Sequence, residues 1–115
     1  MKALAALAAL LLLGSNAMAA DRLVKCQIGS DAKPDYQGTC LFQSDTGGSF
    51  ALSNPKKDRP LYGKILVVSV YVVEPGVAEV RGLTSAGNNS RWGEAKRSSQ
   101  DKACWVGEDF KICAW

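Results

Sequence analysis

The run Ile65-Leu66-Val67-Val68-Ser69-Val70-Tyr71-Val72-Val73 decides the fold class. Apolar side chains fall on both faces of its two-residue alternation, so it predicts a central strand covered on each side. Glu74-Pro75-Gly76 turns the chain. Val77 to Leu83 then alternates small or apolar residues with Glu79 and Arg81, the pattern of a strand with one wet face, and the two strands are expected to pair as a hairpin. Upstream, Leu23 to Ile28 and Tyr36 to Gln43 read as strands, and Asp45-Thr46-Gly47-Gly48 turns the second into Ser49 to Leu52. Ser53 to Pro60 reads as loop. Downstream, Arg91 to Arg97, Ala103 to Val106 and Phe110 to Trp115 each add a strand, the last two joined by a turn at Gly107-Glu108-Asp109. No segment after residue 20 carries a convincing helical period. The expectation is an all-β domain, a small antiparallel barrel or sandwich of about seven strands.

Ahead of these strands stands an address. Lys2 is a positive n-region, Ala3 to Leu13 is almost wholly Ala and Leu, and Ala17-Met18-Ala19 offers the small residues a signal peptidase reads. The apolar run breaks at Gly14-Ser15-Asn16 after about 11 residues, short of the roughly 20 that a membrane span needs. Residues 1–20 are therefore expected to be a cleaved signal peptide, with no membrane anchor, and residues 21–115 a single β domain. The short n-region and compact apolar region suit a bacterial periplasm.

A domain of that size has room for one small core, and covalent staples help it. In an oxidising compartment Cys26, Cys40, Cys104 and Cys113 are expected to form two disulfides. Of three possible connectivities, Cys26–Cys40 with Cys104–Cys113 is favoured, because each closes a local loop across neighbouring strands. Zinc would require paired spacings such as C-x2-C, which the chain lacks, so no metal or other cofactor is expected.

The charge pattern and the missing histidine narrow the function. Without Lys2, thirteen basic residues face eleven acidic ones, with the signs interspersed, so nucleic acid is not an expected partner. Lys56-Lys57-Asp58-Arg59 lies between Pro55 and Pro60 and reads as a solvated loop. The chain has no histidine, which removes the commonest general base and the usual partner of a Ser or Cys nucleophile. No spacing singles out a carboxylate pair, and there is no C-x-x-C. The expectation is a protein that is not an enzyme.

The stretch least like scaffold is Gly82-Leu83-Thr84-Ser85-Ala86-Gly87-Asn88-Asn89-Ser90-Arg91-Trp92-Gly93. Arg beside an aromatic and several hydroxyls suits a carboxylate or a sugar. The plainer reading is an ordinary connection, with Gly and Asn at positive backbone angles and Trp92 packed on the core.

Ser85, Gly87 and the Arg91-Trp92 pair resemble the Ser-Gly loop and following aromatic of the periplasmic proteinaceous inhibitors of lysozymes, those directed at c-type and goose-type enzymes. The chain departs from their pattern in Ala86 between Ser and Gly and in Trp92 where Tyr is more usual. The resemblance implies a small antiparallel barrel that blocks the catalytic cleft of a peptidoglycan-cleaving enzyme with a polar loop of Ser85, Gly87, Asn88, Asn89, Ser90, Arg91 and Trp92. The expected partner is a lysozyme or an endogenous hydrolase, such as a lytic transglycosylase or muramidase, and a homodimer is compatible with that role. Arg91 would meet a carboxylate, Ser85 and Ser90 would form hydrogen bonds, and Trp92 would occupy a sugar subsite. Two other readings stay open: a peptidoglycan binder that stacks Trp92, Trp105 and Trp115 on glycan, and an envelope assembly subunit.

Overall fold

A computed structural model describes residues 21–30 and 32–115, so the expected signal peptide lies outside the described residues. Eight strands run in order: β1 Arg22–Gly29, β2 Pro34–Ser44, β3 Phe50–Ser53, β4 Ile65–Glu74, β5 Val77–Thr84, β6 Asn89–Arg97, β7 Cys104–Gly107 and β8 Lys111–Ala114. Each pairs antiparallel with its neighbour in sequence, and β8 returns to β1 through Ile28↔Ile112 and Gln27↔Cys113, closing an up-and-down barrel. Closure leaves no free sheet edge. A 3-10 turn, Thr46–Gly48, links β2 to β3, capped where the Asp45 carboxylate accepts from the Thr46 N–H.

Eight strands enclose an interior just wide enough for side chains to fill it. The register lines up inward rows: Phe42 pairs with Leu52, Leu52 with Val68 and Val68 with Gly82, while Phe50 pairs with Val70 and Val70 with Val80. Val24, Ile28, Leu52, Val68, Val70, Val80 and Ile112 are buried among these rows.

The run Ile65 to Val73 differs from its expected place. It forms β4, but only Val68 and Val70 are buried, whereas Tyr71 and Val73 on the alternate face are 42% and 64% exposed. Two covered faces belong to a layered sheet, and a strand in a closed barrel has one face on the core and one facing out.

The disulfides are those favoured from the sequence, Cys26–Cys40 and Cys104–Cys113. Cys26 and Cys40 belong to the interior cluster; Cys104 and Cys113 face each other across the β7–β8 ladder, buried but outside that cluster. One staple thus holds the core at β1–β2 and the other holds the short strands beside the closing seam. Each contributes about 3 kcal/mol in the chain-entropy account. Two disulfides indicate an oxidising environment. Among the described residues no helix is long and apolar enough to cross a membrane.

In a meander barrel, connections alternate between the two ends. Those after β1, β3, β5 and β7 (the first including Ser30 and Lys33, the others 54–64, 85–88 and 108–110) therefore share one end, here called the mouth.

Candidate functional site

The stretch from Gly82 to Gly93 is mostly strand. Gly82, Leu83 and Thr84 end β5, Asn89 to Gly93 begin β6, and only Ser85 to Asn88 turn. The turn is fixed by its own backbone: Thr84 N–H donates to Asn88 C=O at 2.8 Å, Gly87 N–H to Thr84 C=O at 2.9 Å and Asn88 N–H to the Thr84 hydroxyl at 3.2 Å. Ser85 N–H donates across to Lys64 C=O at 2.8 Å, which ties the hairpin to the connection before β4. Gly87 takes the positive φ, 92°, that the turn requires, and neither Asn88 nor Asn89 does. Ser85, Asn88, Asn89 and Ser90 are exposed, and their side chains have no hydrogen-bond partner among the described residues.

Arg91 and Trp92 part company. Arg91 lies outward with its side chain 59% exposed and forms an ion pair with Glu79 on β5, in which its Nη2 donates to Oε1 at 3.1 Å. Its charge is thus already matched on the barrel wall. Trp92 sits at the β5–β6 bulge, where Val80 pairs with Gly93 and Arg81 with Arg91, leaving Trp92 as the extra residue. Its indole lies over Gly82, where a Cβ would come within 2.7 Å of Nε1, and packs edge-on against Phe110 with centroids 5.8 Å apart. Phe110 in turn occupies the space a side chain on Gly107 would need. Two glycines therefore make room for two rings that floor the mouth, so Trp92 is half-buried and packed on the core.

Above that floor opens a cavity of about 400 Å³. Gly29, Ser30 and Asp35 reach it from around the β1–β2 connection and Tyr62 from the one before β4. Arg91 and Trp92 come from the β5–β6 hairpin, and Asp109 and Phe110 from the turn after β7. Tyr62 stacks on Tyr36 with centroids 6.0 Å apart. Burial, with the Asp35 carboxylate adding to it, pushes the Tyr62 hydroxyl up to about 12, so it is a neutral donor at physiological pH.

Of the predicted site residues the cavity gathers only Arg91 and Trp92, with polar groups that the sequence did not single out, Ser30, Asp35, Tyr62 and Asp109, while Ser85 to Ser90 stand outside its lining. The signal was available, since each lies in or beside a connection that follows an odd-numbered strand. The other two tryptophans lie elsewhere. Trp105 is buried in the core beneath Arg97, and Trp115 is half-exposed, its indole N–H donating to Asp101 at 3.0 Å. Three tryptophans therefore do not form one stacking platform. Among the described residues no group of His, Cys, Asp or Glu could hold a metal ion.

Fold and site together define a small disulfide-stapled up-and-down β-barrel with polar groups and aromatic rings gathered at one mouth. The chain matches no protein-family model, no curated protein and no solved structure.

Proposed function

We propose that this chain is a periplasmic inhibitor of a peptidoglycan-cleaving enzyme, a lysozyme or an endogenous lytic transglycosylase or muramidase, and that the β5–β6 hairpin enters the enzyme's cleft. The observation that carries the reading is the hairpin's combination of a hydrogen-bonded backbone with unpaired side chains: Ser85, Asn88, Asn89 and Ser90 are displayed by a turn tied to itself and to Lys64. A rigid support of this kind lowers the ordering cost of association. A muralytic cleft presents a protonated acid, usually beside a second carboxylate, and a sugar channel lined with hydrogen-bonding groups. Hydroxyl and amide side chains on a narrow tip fit such a channel and exclude glycan. Arg91 stands at the base of the tip, where the guanidinium edge not engaged by Glu79 meets a cleft carboxylate. The antiparallel barrel agrees with the architecture that the Ser85-to-Trp92 resemblance implies. The two disulfides suit an oxidising periplasm.

The test is a peptidoglycan-clearing assay in which the oxidised protein is titrated against c-type and goose-type lysozymes and a lytic transglycosylase. Stoichiometric loss of clearing by one enzyme is expected. A Ser85→Ala, Asn88→Ala, Ser90→Ala triple variant should weaken that inhibition at least tenfold, as truncated interface centres do, while leaving Tm unchanged. Clearing unaffected by the wild-type protein for every enzyme rejects the reading. Co-sedimentation with purified peptidoglycan in the absence of enzyme would favour the wall-binding alternative.

A further inference from the structure

The mouth cavity has a chemistry separate from that of the hairpin tip. Its two carboxylates, Asp35 and Asp109, come from different connections, and neither has a cationic partner among the described residues. Its one guanidinium, Arg91, is matched by Glu79 on the outer wall, and Glu79 does not line the cavity. The lining therefore carries uncompensated negative charge. Three rings, Tyr62, Trp92 and Phe110, line it among these polar groups. Rings present a negative face to a cation, and carboxylates at the rim add a charge-assisted acceptor. A cavity of about 400 Å³ falls within the range of small-ligand sites and is far larger than one water requires.

We infer that the barrel mouth binds an organic cation, an ammonium group on an alkyl chain, with Asp35 and Asp109 accepting its N–H bonds and Trp92 and Tyr62 flanking the methylenes. The inference does not rest on the inhibitor reading. The cation has two sources of the same chemistry, a free amine or a lysine side chain presented by a protein partner. The Tyr62 hydroxyl lines the same cavity and is neutral at physiological pH, so it adds no charge to compete with the ammonium.

The experiment is a titration of the oxidised protein with acetyl-lysine amide, its neutral isostere acetyl-norleucine amide, and cadaverine, followed by NMR at the backbone amides of Asp35, Tyr62 and Asp109 and at the Trp92 indole. Both cations should move these four resonances, and norleucine amide should not. Asp35→Asn and Asp109→Asn should each weaken cation binding about fivefold, the upper range for an exposed charge pair. Both positions are exposed, so the variants should keep the wild-type amide dispersion elsewhere, which the same spectra report. Tighter binding of cadaverine assigns the site to free amines, and tighter binding of acetyl-lysine amide assigns it to a partner's side chain. Equal shifts with norleucine amide, or wild-type affinity in both variants, would overturn the inference. Because no hydrolase is present, its failure is distinguishable from failure of the clearing assay.

Discussion

At the end of the barrel away from the mouth, the 98–103 connection uses its polar groups internally. The Ser98 hydroxyl accepts from the N–H groups of Gln100 and Asp101, Arg97 Nε donates to Lys102 C=O, and the Asp101 carboxylate accepts from both Ala103 N–H and the Trp115 indole. At the mouth Ser30 and Asn54 likewise bond within their own connections, but the β5–β6 turn differs. The backbone of the 85–88 turn is just as well bonded, yet among the described residues the side chains of Ser85, Asn88, Asn89 and Ser90 and the carboxylates of Asp35 and Asp109 have no such partners. Both connections are thus held firmly, but the 85–88 turn is held by its backbone and the Thr84 hydroxyl, while the 98–103 connection also spends Arg97, Ser98 and Asp101 side chains on itself. Recognition needs unspent hydrogen-bonding capacity on a rigid support, and a connection whose side chains are saturated offers rigidity alone.

The largest effect expected from breaking this contrast lies under the mouth. Gly107→Val places a side chain where the Phe110 ring sits, and relief requires Phe110 to leave the floor and Trp92 to lose its edge contact. Overpacking of this kind costs about 3 kcal/mol, read as a lowered midpoint in urea unfolding, together with loss of the cation-induced shift at the Trp92 indole. A midpoint near wild type would show that the floor is not rigid. Replacing Cys104 and Cys113 together by Ala should cost slightly less, about 2 to 3 kcal/mol, because the loop they close is short. That loss should leave the mouth resonances in place, since this disulfide lies outside the interior cluster.

Much of this was legible in the sequence, for reasons that differ by region. The hairpin of β4 and β5 could be read because Pro75-Gly76 separates two β-rich runs, and both disulfides could be chosen because each spans adjacent strands. The coverage of β4 could not. Val67, Tyr71 and Val73 have the same composition whether their face meets a second layer or solvent, and only barrel closure decides between them. Each of the eight strands overlaps a run that could be read locally, but the choice between barrel and sandwich could not be, because it rests on the long-range pairing of β1 with β8 through Ile28↔Ile112. For the site, local composition located the hairpin residues Ser85 to Trp92. Asp35, Tyr62 and Asp109 carry no local motif and join the mouth only through the alternation of connections around a closed meander.

The 98–103 connection should respond to acid. Asp101 titrates below the usual carboxylate range because Ala103 N–H, then the Trp115 indole, donate to its charged form, with Lys111 adding attraction. A folded value below the unfolded one means that the stabilisation is present above the unfolded value and is lost as pH falls through the folded one. Asp101→Asn should therefore lower Tm at neutral pH and flatten the acid limb of the Tm profile, while the hairpin variants leave that limb unchanged. An acid limb identical to wild type would mean that this connection is not held by the carboxylate.

The smallest and most local effect concerns Tyr62. Its hydroxyl is pushed up to about 12 from 10.0, first by burial and then by Asp35, so the unfolded chain ionises before the folded one. The associated stabilisation is complete below pH 10 and is lost as pH rises toward 12. Among the three tyrosines, the one titrating latest in a phenolate absorbance titration should be Tyr62, identified by its loss in Tyr62→Phe. Asp35→Asn should move it only part of the way back toward 10.0, because burial by the mouth's walls is the larger cause. Full return would show that the carboxylate alone sets it and that the mouth is wetter than its ring lining implies. A partial return would put the phenol and the carboxylate in one site whose burial is the larger influence on the hydroxyl.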